Sequence, residues 1–269
     1  MGADEYLLDN RGAEAGGRFD ALSAVFDEVT FRHIDALGIR AGWRCWEVGA
    51  GGPSVPAGLA ARVGETGSVL ATDIEVGWLT GEVVAGVEVR RHDVVHDDPP
   101  RGDFDFVHAR LVLLHLPGRE QALQRMAAAV RPGGWLLVED FDISLQTLVC
   151  PDDHGPDQQL ANKIKDGFRA LLFGRGVDAE FGRRLPRLFR AAGLLDVGAD
   201  AYFPLAVPGV AVLEDANTHQ VRDQLVSGGH ASSQEVDTYL DLVRGGSLDL
   251  ATAPLVSTWG RRPPTPTPE

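Results

Sequence analysis

The sequence predicts an α/β fold: a doubly wound, mostly parallel sheet of seven strands, interrupted by helical insertions. Three observations carry this expectation. Short apolar runs alternate with segments of helical periodicity, a glycine cluster follows the first of those runs, and the alternation breaks off after Asp142. Short apolar runs between helices are what a parallel sheet covered on both faces requires, because its strands are buried front and back.

Leu22, Val25, Phe26, Val29 and Leu37 recur at helical spacing over residues 19–37, an amphipathic helix that Gly38 ends. Trp43–Val48 reads as the first strand, Gly-Ala-Gly-Gly-Pro-Ser at 49–54 as a turn, and 55–63 as a helix stopped by Gly64. Strands at 68–73, 87–93 and 104–108 follow, with a helix near 76–85. Leu123, Met126, Ala127 and Val130 mark the next helix face, Arg131-Pro132-Gly133-Gly134 closes it, and Trp135–Asp140 is the fifth strand.

Beyond Asp142 the stripe Leu160, Ile164, Phe168, Leu171 and Leu172 has no strand behind it and reads as an inserted lid. Phe181, Leu185, Leu188, Phe189 and Ala192 restore a sheet-covering helix up to Gly193, with Pro186 expected in or near its first turn. A sixth strand at 197–205 precedes helices at 209–227 and 233–244, the latter opened by a Ser232/Glu235 capping box, and 255–259 is the last strand. The expected organisation is a helical segment at 1–40, a ligand-binding core at 41–145 and a helical lid at 146–178. The rest of the core follows at 179–260 with a second insertion at 208–250, then a flexible proline-rich tail at 261–269. Gly174-Arg-Gly176 and Gly228-Gly229 are expected to be mobile joints of the lids.

Composition excludes several classes of function. Lys+Arg 25 against Asp+Glu 39 gives a net charge of −14, which repels phosphodiester backbones, so nucleic acid is not an expected partner. Two cysteines, Cys45 and Cys150, are too few and too far apart for a disulfide framework or a zinc site, as in a reducing cytoplasm. No apolar run approaches the roughly 20 residues of a membrane span, and the start of the chain is unlike a signal peptide. A soluble cytoplasmic protein is the expectation, with a homodimer left open.

The sequence Glu47-Val-Gly49-Ala50-Gly51-Gly52 stands at the carboxyl end of the first strand, where open α/β sheets bind ligands. A dinucleotide fingerprint would need glycine where Ser54 stands, and no Gly-Lys-Ser/Thr follows as in a phosphate-binding loop. Glu47 suits a cationic amine, and Asp73, at the end of the second strand, suits ribose hydroxyls. Those demands describe a nucleoside bearing an amino acid.

Together with Ala-Thr-Asp-Ile-Glu at 71–75, Arg-His-Asp-Val at 91–94, Phe-Asp-Phe-Val-His-Ala-Arg at 104–110, Leu-Leu-His-Leu-Pro at 113–117 and Arg-Pro-Gly-Gly-Trp-Leu-Leu-Val-Glu-Asp at 131–140, this turn resembles the successive motifs of class I S-adenosylmethionine-dependent methyltransferases. The resemblance implies a Rossmann-like fold with S-adenosylmethionine as cofactor. It implies that Glu47, Gly49, Ala50 and Gly51 lie along its methionine part and that Asp73 holds the ribose. It further implies that Ile74 flanks the adenine, that Asp93 takes the adenine amino group with Val94 beside it, and that Arg110 lies near the cofactor through its backbone. Pro53 departs from the family, which often has a small residue there; it removes one donor to the methionine carboxylate.

Methyl transfer from a sulfonium asks the protein mainly to align donor and acceptor and to exclude water. His115 is the candidate general base, or else a structural histidine, and Asp140 the candidate that orients it or contacts substrate. His108 reads as a satisfied buried residue. Glu139, Asp140 and Asp142 could suggest a magnesium site, but strand four offers no further ligand, so no metal is expected. The lids favour a small organic acceptor, with oxygen slightly preferred over nitrogen or carbon, and the Ala/Gly/Arg-rich composition resembles natural-product tailoring enzymes of secondary metabolism. A non-methylating cyclisation or rearrangement beside the bound cofactor, and a non-catalytic cofactor-binding module, remain the alternatives.

Overall fold

The computed structural model describes residues 7, 8, 10, 14–81, 85–100 and 103–265. The expectations for the first residues of the chain, for 82–84 and for 266–269 lie outside them. Within the described residues the strands are β1 (Arg44–Val48), β2 (Ser68–Asp73), β3 (Val87–Arg91), β4 (Phe104–Arg110), β5 (Val130–Phe141), β6 (Leu195–Tyr202) and β7 (Leu255–Arg261). They form one sheet in the order β3-β2-β1-β4-β5-β7-β6. The first five strands run parallel, whereas β7 inserts antiparallel between β5 and β6. The order reverses between β1 and β4, which opens a crevice at the carboxyl ends of those strands.

The period-2 alternation of the strands supplies both faces of the sheet. Cys45, Phe106 and Leu137 point one way and meet Val55, Leu59 and Val63 of α2 (Ser54–Val63) and Ile34 of α1 (Glu14–Ala36). Trp46, Val107 and Val138 point the other way, into a larger cluster with Leu123 and Met126 of α4 (Arg119–Ala129) and Leu185 of α6 (Phe181–Ala191). α3 (Gly77–Gly81) follows β2, and the expected continuation over 82–84 lies outside the described residues. The insertions are α5 (Pro156–Gly174), α7 (Pro208–Ser227) and α8 (Ser233–Gly245); α5 packs on α7 and α8, and α7 packs along α1. The Ser232/Glu235 capping box is formed.

Several details refine or depart from the sequence reading. Pro186 sits in the second turn of α6, where it removes the N–H that would bond the Gly182 carbonyl. The sixth strand ends at Tyr202, and Leu205 makes only an isolated bridge to Ala251. Gly176 (φ +79°) and Gly229 (φ +71°) are left-handed residues with N–H groups bonded back to Phe173 and Val226, so the expected loose joints are closed helix ends. The tail does not begin at 261: Arg261 belongs to β7, the Arg262 N–H donates to the Gly134 carbonyl at 3.0 Å, and its guanidinium reaches the carbonyls of Ala128 and Val130.

Candidate functional site

The crevice is shaped first by the glycine turn. Gly49 (φ +64°) and Gly51 (φ +60°) adopt left-handed backbone that side chains disfavour. There is also no room for one: a Cβ on Gly49 would stand 2.4 Å from Val112 Cγ2, and one on Gly51 would stand 2.7 Å from the Phe19 ring. The Ala50 N–H donates to the Thr72 carbonyl at 3.0 Å, and the Gly51 N–H donates to Asp73 Oδ2 at 2.9 Å. Asp73 Oδ1 accepts from the Glu75 N–H at 2.9 Å. Burial raises the Asp73 pKa, opposed by these backbone donors. Pro53 occupies the N-cap of α2 and offers no capping side chain.

Two chambers open from this turn and share Gly49, Asp73, Leu111 and His115. One, about 300 Å³, is bordered by Ile74, Asp93 and Val94. The other, about 180 Å³, runs from Ala50 and Gly51 past Arg110 to α5 and α7, between Phe19, Phe141, Phe168 and Leu213. Of the residues singled out in the sequence, Gly49, Ala50, Gly51, Asp73, Ile74, Asp93, Val94, Arg110 and His115 therefore converge on one connected space.

Glu47 and Asp140 do not line it, which corrects two expectations. Glu47, 2% exposed, turns its carboxylate to His108, with Oε2 2.6 Å from Nδ1. The ring's Nε2 faces Glu139 Oε2 at 3.3 Å. Glu139 also accepts from the hydroxyls of Thr30 (2.5 Å) and Ser257 (2.7 Å), and His33 lies 3.4 Å away. Burial works to lower the His108 pKa, but the two carboxylates outweigh it and raise it to about 9. Asp140 is fully buried, and its carboxyl oxygens lack a well-aligned hydrogen bond among the described residues. Burial pushes its pKa well up, opposed by the backbone N–H groups of Leu114, Leu113 and Val112. It thus faces the backbone of the 3-10 turn Leu113–His115 and does not border the chambers.

His115 stands at the seam of the two chambers, but its chemistry differs from that of a tuned base. Burial, Arg18 and Arg119 lower its pKa to about 3, so the ring is neutral at pH 7 and holds an added proton weakly. It is suited to orient a partner by hydrogen bonding. Arg110 donates to Asp27 at 2.8 Å and Thr30 at 3.0 Å, tying β4 to α1. The Asp93 carboxylate accepts from the Val95 and His96 N–H groups at 2.8 and 3.2 Å and faces the His96 ring, so it shapes its own turn. Asp142 is paired with Arg183. Among the described residues, no group of three or more His, Cys, Asp or Glu is placed to hold a metal ion, and no helix is long and apolar enough to cross a membrane.

Sequence reasoning missed the polar wall of the chamber that reaches α5 and α7, made by Lys165, Glu214 and Asn217. A signal was present: Glu214 and Asn217 fall on the buried stripe Val210, Leu213, Val221 and Leu225 of α7, and Lys165 lies between Ile164 and Phe168 of α5. Polar residues on an apolar helix face mark either a buried pair or a ligand contact.

Known proteins resemble this chain in sequence and fold. The family described as Methyltransferase domain matches residues 48–197, more than half of the chain. Methyltransferase str3 of Strobilurus tenacellus is 38% identical over 99 residues, covering 36% of this chain and 33% of the relative. Methyltransferase GfsG of Streptomyces halstedii is 27% identical over 184 residues, covering 65% and 61%. The matches thus span between about a third and three-fifths of these relatives' lengths. Phosphoethanolamine N-methyltransferase 2 of Haemonchus contortus, solved with phosphomonomethylethanolamine and S-adenosylhomocysteine, aligns with a TM-score of 0.59 at 14% identity, covering 96% of this chain and 60% of that one. The YcgJ protein of Bacillus subtilis aligns with a TM-score of 0.53 at 16% identity, covering 87% and 97%. At such identities the likeness is one of fold.

Proposed function

The chain belongs to the methyltransferase-domain family, and from that premise we propose that it transfers a methyl group from S-adenosylmethionine to a small organic acceptor, with oxygen slightly preferred over nitrogen or carbon. The observation that carries this reading is the pair of chambers meeting at Gly49, Asp73, Leu111 and His115. A ligand with two dissimilar ends, a nucleoside and an amino acid, fits such a divided space. Asp73 already accepts from Gly51 and Glu75, and a carboxylate with about four acceptor positions keeps room for two ribose hydroxyls. Ile74 and Val94 supply apolar flanks for the adenine, with Asp93 beside them, while Gly49, Ala50 and Gly51 give the methionine part close backbone approach.

The cofactor supplies an electrophilic methyl group on a sulfonium. The chain's own contribution is alignment and exclusion of water. Phe19 and Phe141 wall the chamber beyond the turn, and the neutral His115 ring orients the acceptor at the seam. Glu47 acts at one remove, holding His108 and with it the register of β1 on β4. A chamber closed by α1, α5 and α7 in a chain of net charge −14 suits a small molecule rather than a nucleic acid.

The test is incubation with S-adenosylmethionine and a panel of phenols, quinols, amines and enolisable ketones, read by mass spectrometry. Release of S-adenosylhomocysteine with an acceptor heavier by one methylene unit is expected. An acceptor converted without change of mass would contradict methyl transfer in favour of a rearrangement.

A further inference from the structure

We propose that Lys165, Glu214 and Asn217 form an anchoring subsite that selects a neutral, hydroxyl-bearing apolar acceptor; this rests on the methyl-transfer reading above. The three side chains border the same chamber as the glycine turn, on the wall built by α5 and α7. Lys165 Nζ donates to Glu214 Oε1 at 2.5 Å, and the Tyr239 hydroxyl donates to Glu214 Oε2 at 3.3 Å. The two charges are thereby spent on each other inside the protein, with Glu214 3% exposed.

Asn217 is different. It is 8% exposed, borders the chamber, and its Oδ1 has no hydrogen-bond partner among the described residues. A buried acceptor without a donor is unfavourable, and a hydrogen-bond donor entering the chamber that Asn217 borders would relieve it. Phe168, Leu172 and Leu213 make the surrounding wall apolar.

The chemistry of the wall narrows the class of occupant. A carboxylate would bring a second negative charge towards Glu214 and meet Asn217 Oδ1 acceptor to acceptor. An ammonium would be forced beside Lys165. A hydroxyl donates to Asn217 and can accept from Lys165 without adding charge. Because it both donates and accepts, it satisfies the Asn217 amide in either orientation, whereas a methyl group satisfies neither.

The experiment uses 1-naphthol and 1-methylnaphthalene, which differ in little but O–H against CH₃, and 1-naphthoate as the anionic probe. Each is titrated into the full chain with and without S-adenosylhomocysteine. The wild type is expected to bind 1-naphthol about tenfold tighter than 1-methylnaphthalene and to bind 1-naphthoate more weakly than either. Asn217→Leu, which keeps the shape, should reverse the order of the first two while leaving S-adenosylhomocysteine affinity within about twofold. The double variant Lys165→Met/Glu214→Leu, which removes both charges together, should lose severalfold of the 1-naphthol preference. Equal binding of the neutral probes in the wild type, a preference that survives in Asn217→Leu, or strongest binding of 1-naphthoate would overturn the proposal. Failure of the wild type to bind S-adenosylhomocysteine would sink the methyl-transfer reading instead, and the titrations without it would still decide the subsite.

Discussion

Glu47 and His108 are register partners across β1 and β4, and Glu47 Oε2 lies 2.6 Å from His108 Nδ1 in the interior of the sheet. With Glu139 on the other side of the ring, the imidazole is held between two carboxylates, and its pKa is raised from 6.5 to about 9. A folded-state pKa raised in this way means the native protein holds the proton more tightly, so its stabilisation is complete below pH 6.5 and disappears as pH climbs through about 9. Urea unfolding at pH 6.5 and pH 9 should show a loss on the order of 3 kcal/mol. Stability that is level or rising over this window would show that the ring is neutral in the fold.

Asp140 should behave in the opposite manner to a catalytic carboxylate. Its pKa is pushed up by burial, so the native state favours the protonated form, and ionisation above the ordinary carboxylate range works against folding. Asp140→Asn imitates the neutral form and should lessen the fall in stability as pH rises. An identical pH dependence of thermal unfolding in Asp140→Asn and the wild type would mean that the carboxyl does not titrate with a raised pKa.

Gly49 is constrained twice, by its φ of +64° and by Val112. Gly49→Ala should cost about 2–4 kcal/mol, of which roughly 1–2 kcal/mol is backbone. Adding Val112→Ala should recover the steric part only. Full recovery in the double-mutant cycle would show that the left-handed backbone carries no penalty here.

His115 should show no titration near its ordinary value of 6.5, because its pKa is held at about 3. Imidazole nitrogen shifts measured by NMR, with His115→Asn to assign them, should stay at the neutral position from about pH 5 upward. A midpoint near neutrality would restore the role of general base.

Much of this was legible in the sequence because local physics fixes it. The runs ending at Val48, Asp73 and Arg110 are short and buried along most of their length, the glycine turn departs from the dinucleotide and phosphate-loop patterns, and Ser232 with Glu235 cap α8 as their spacing requires. What the sequence concealed is long-range. Glu47 looked free for a cationic amine because nothing local reveals that His108, on another strand, stands opposite it. Asp140 looked available for the same reason, since the turn that covers it belongs to residues 112–115. The wall of Lys165, Glu214 and Asn217 comes from two insertions whose docking depends on each other. Arg262 reads as part of a loose tail until β7 is seen pairing with β5.

The central claim is that the buried Asp73 and the turn beside it form the seat of an aminoacyl nucleoside, and calorimetric titration with S-adenosylhomocysteine tests it most directly. The account predicts one site per chain and a loss of about 10- to 100-fold in affinity for Asp73→Asn, as expected for losing charge-assisted bonds to ribose hydroxyls. Absence of binding at millimolar ligand, or an affinity indifferent to Asp73→Asn, would contradict it.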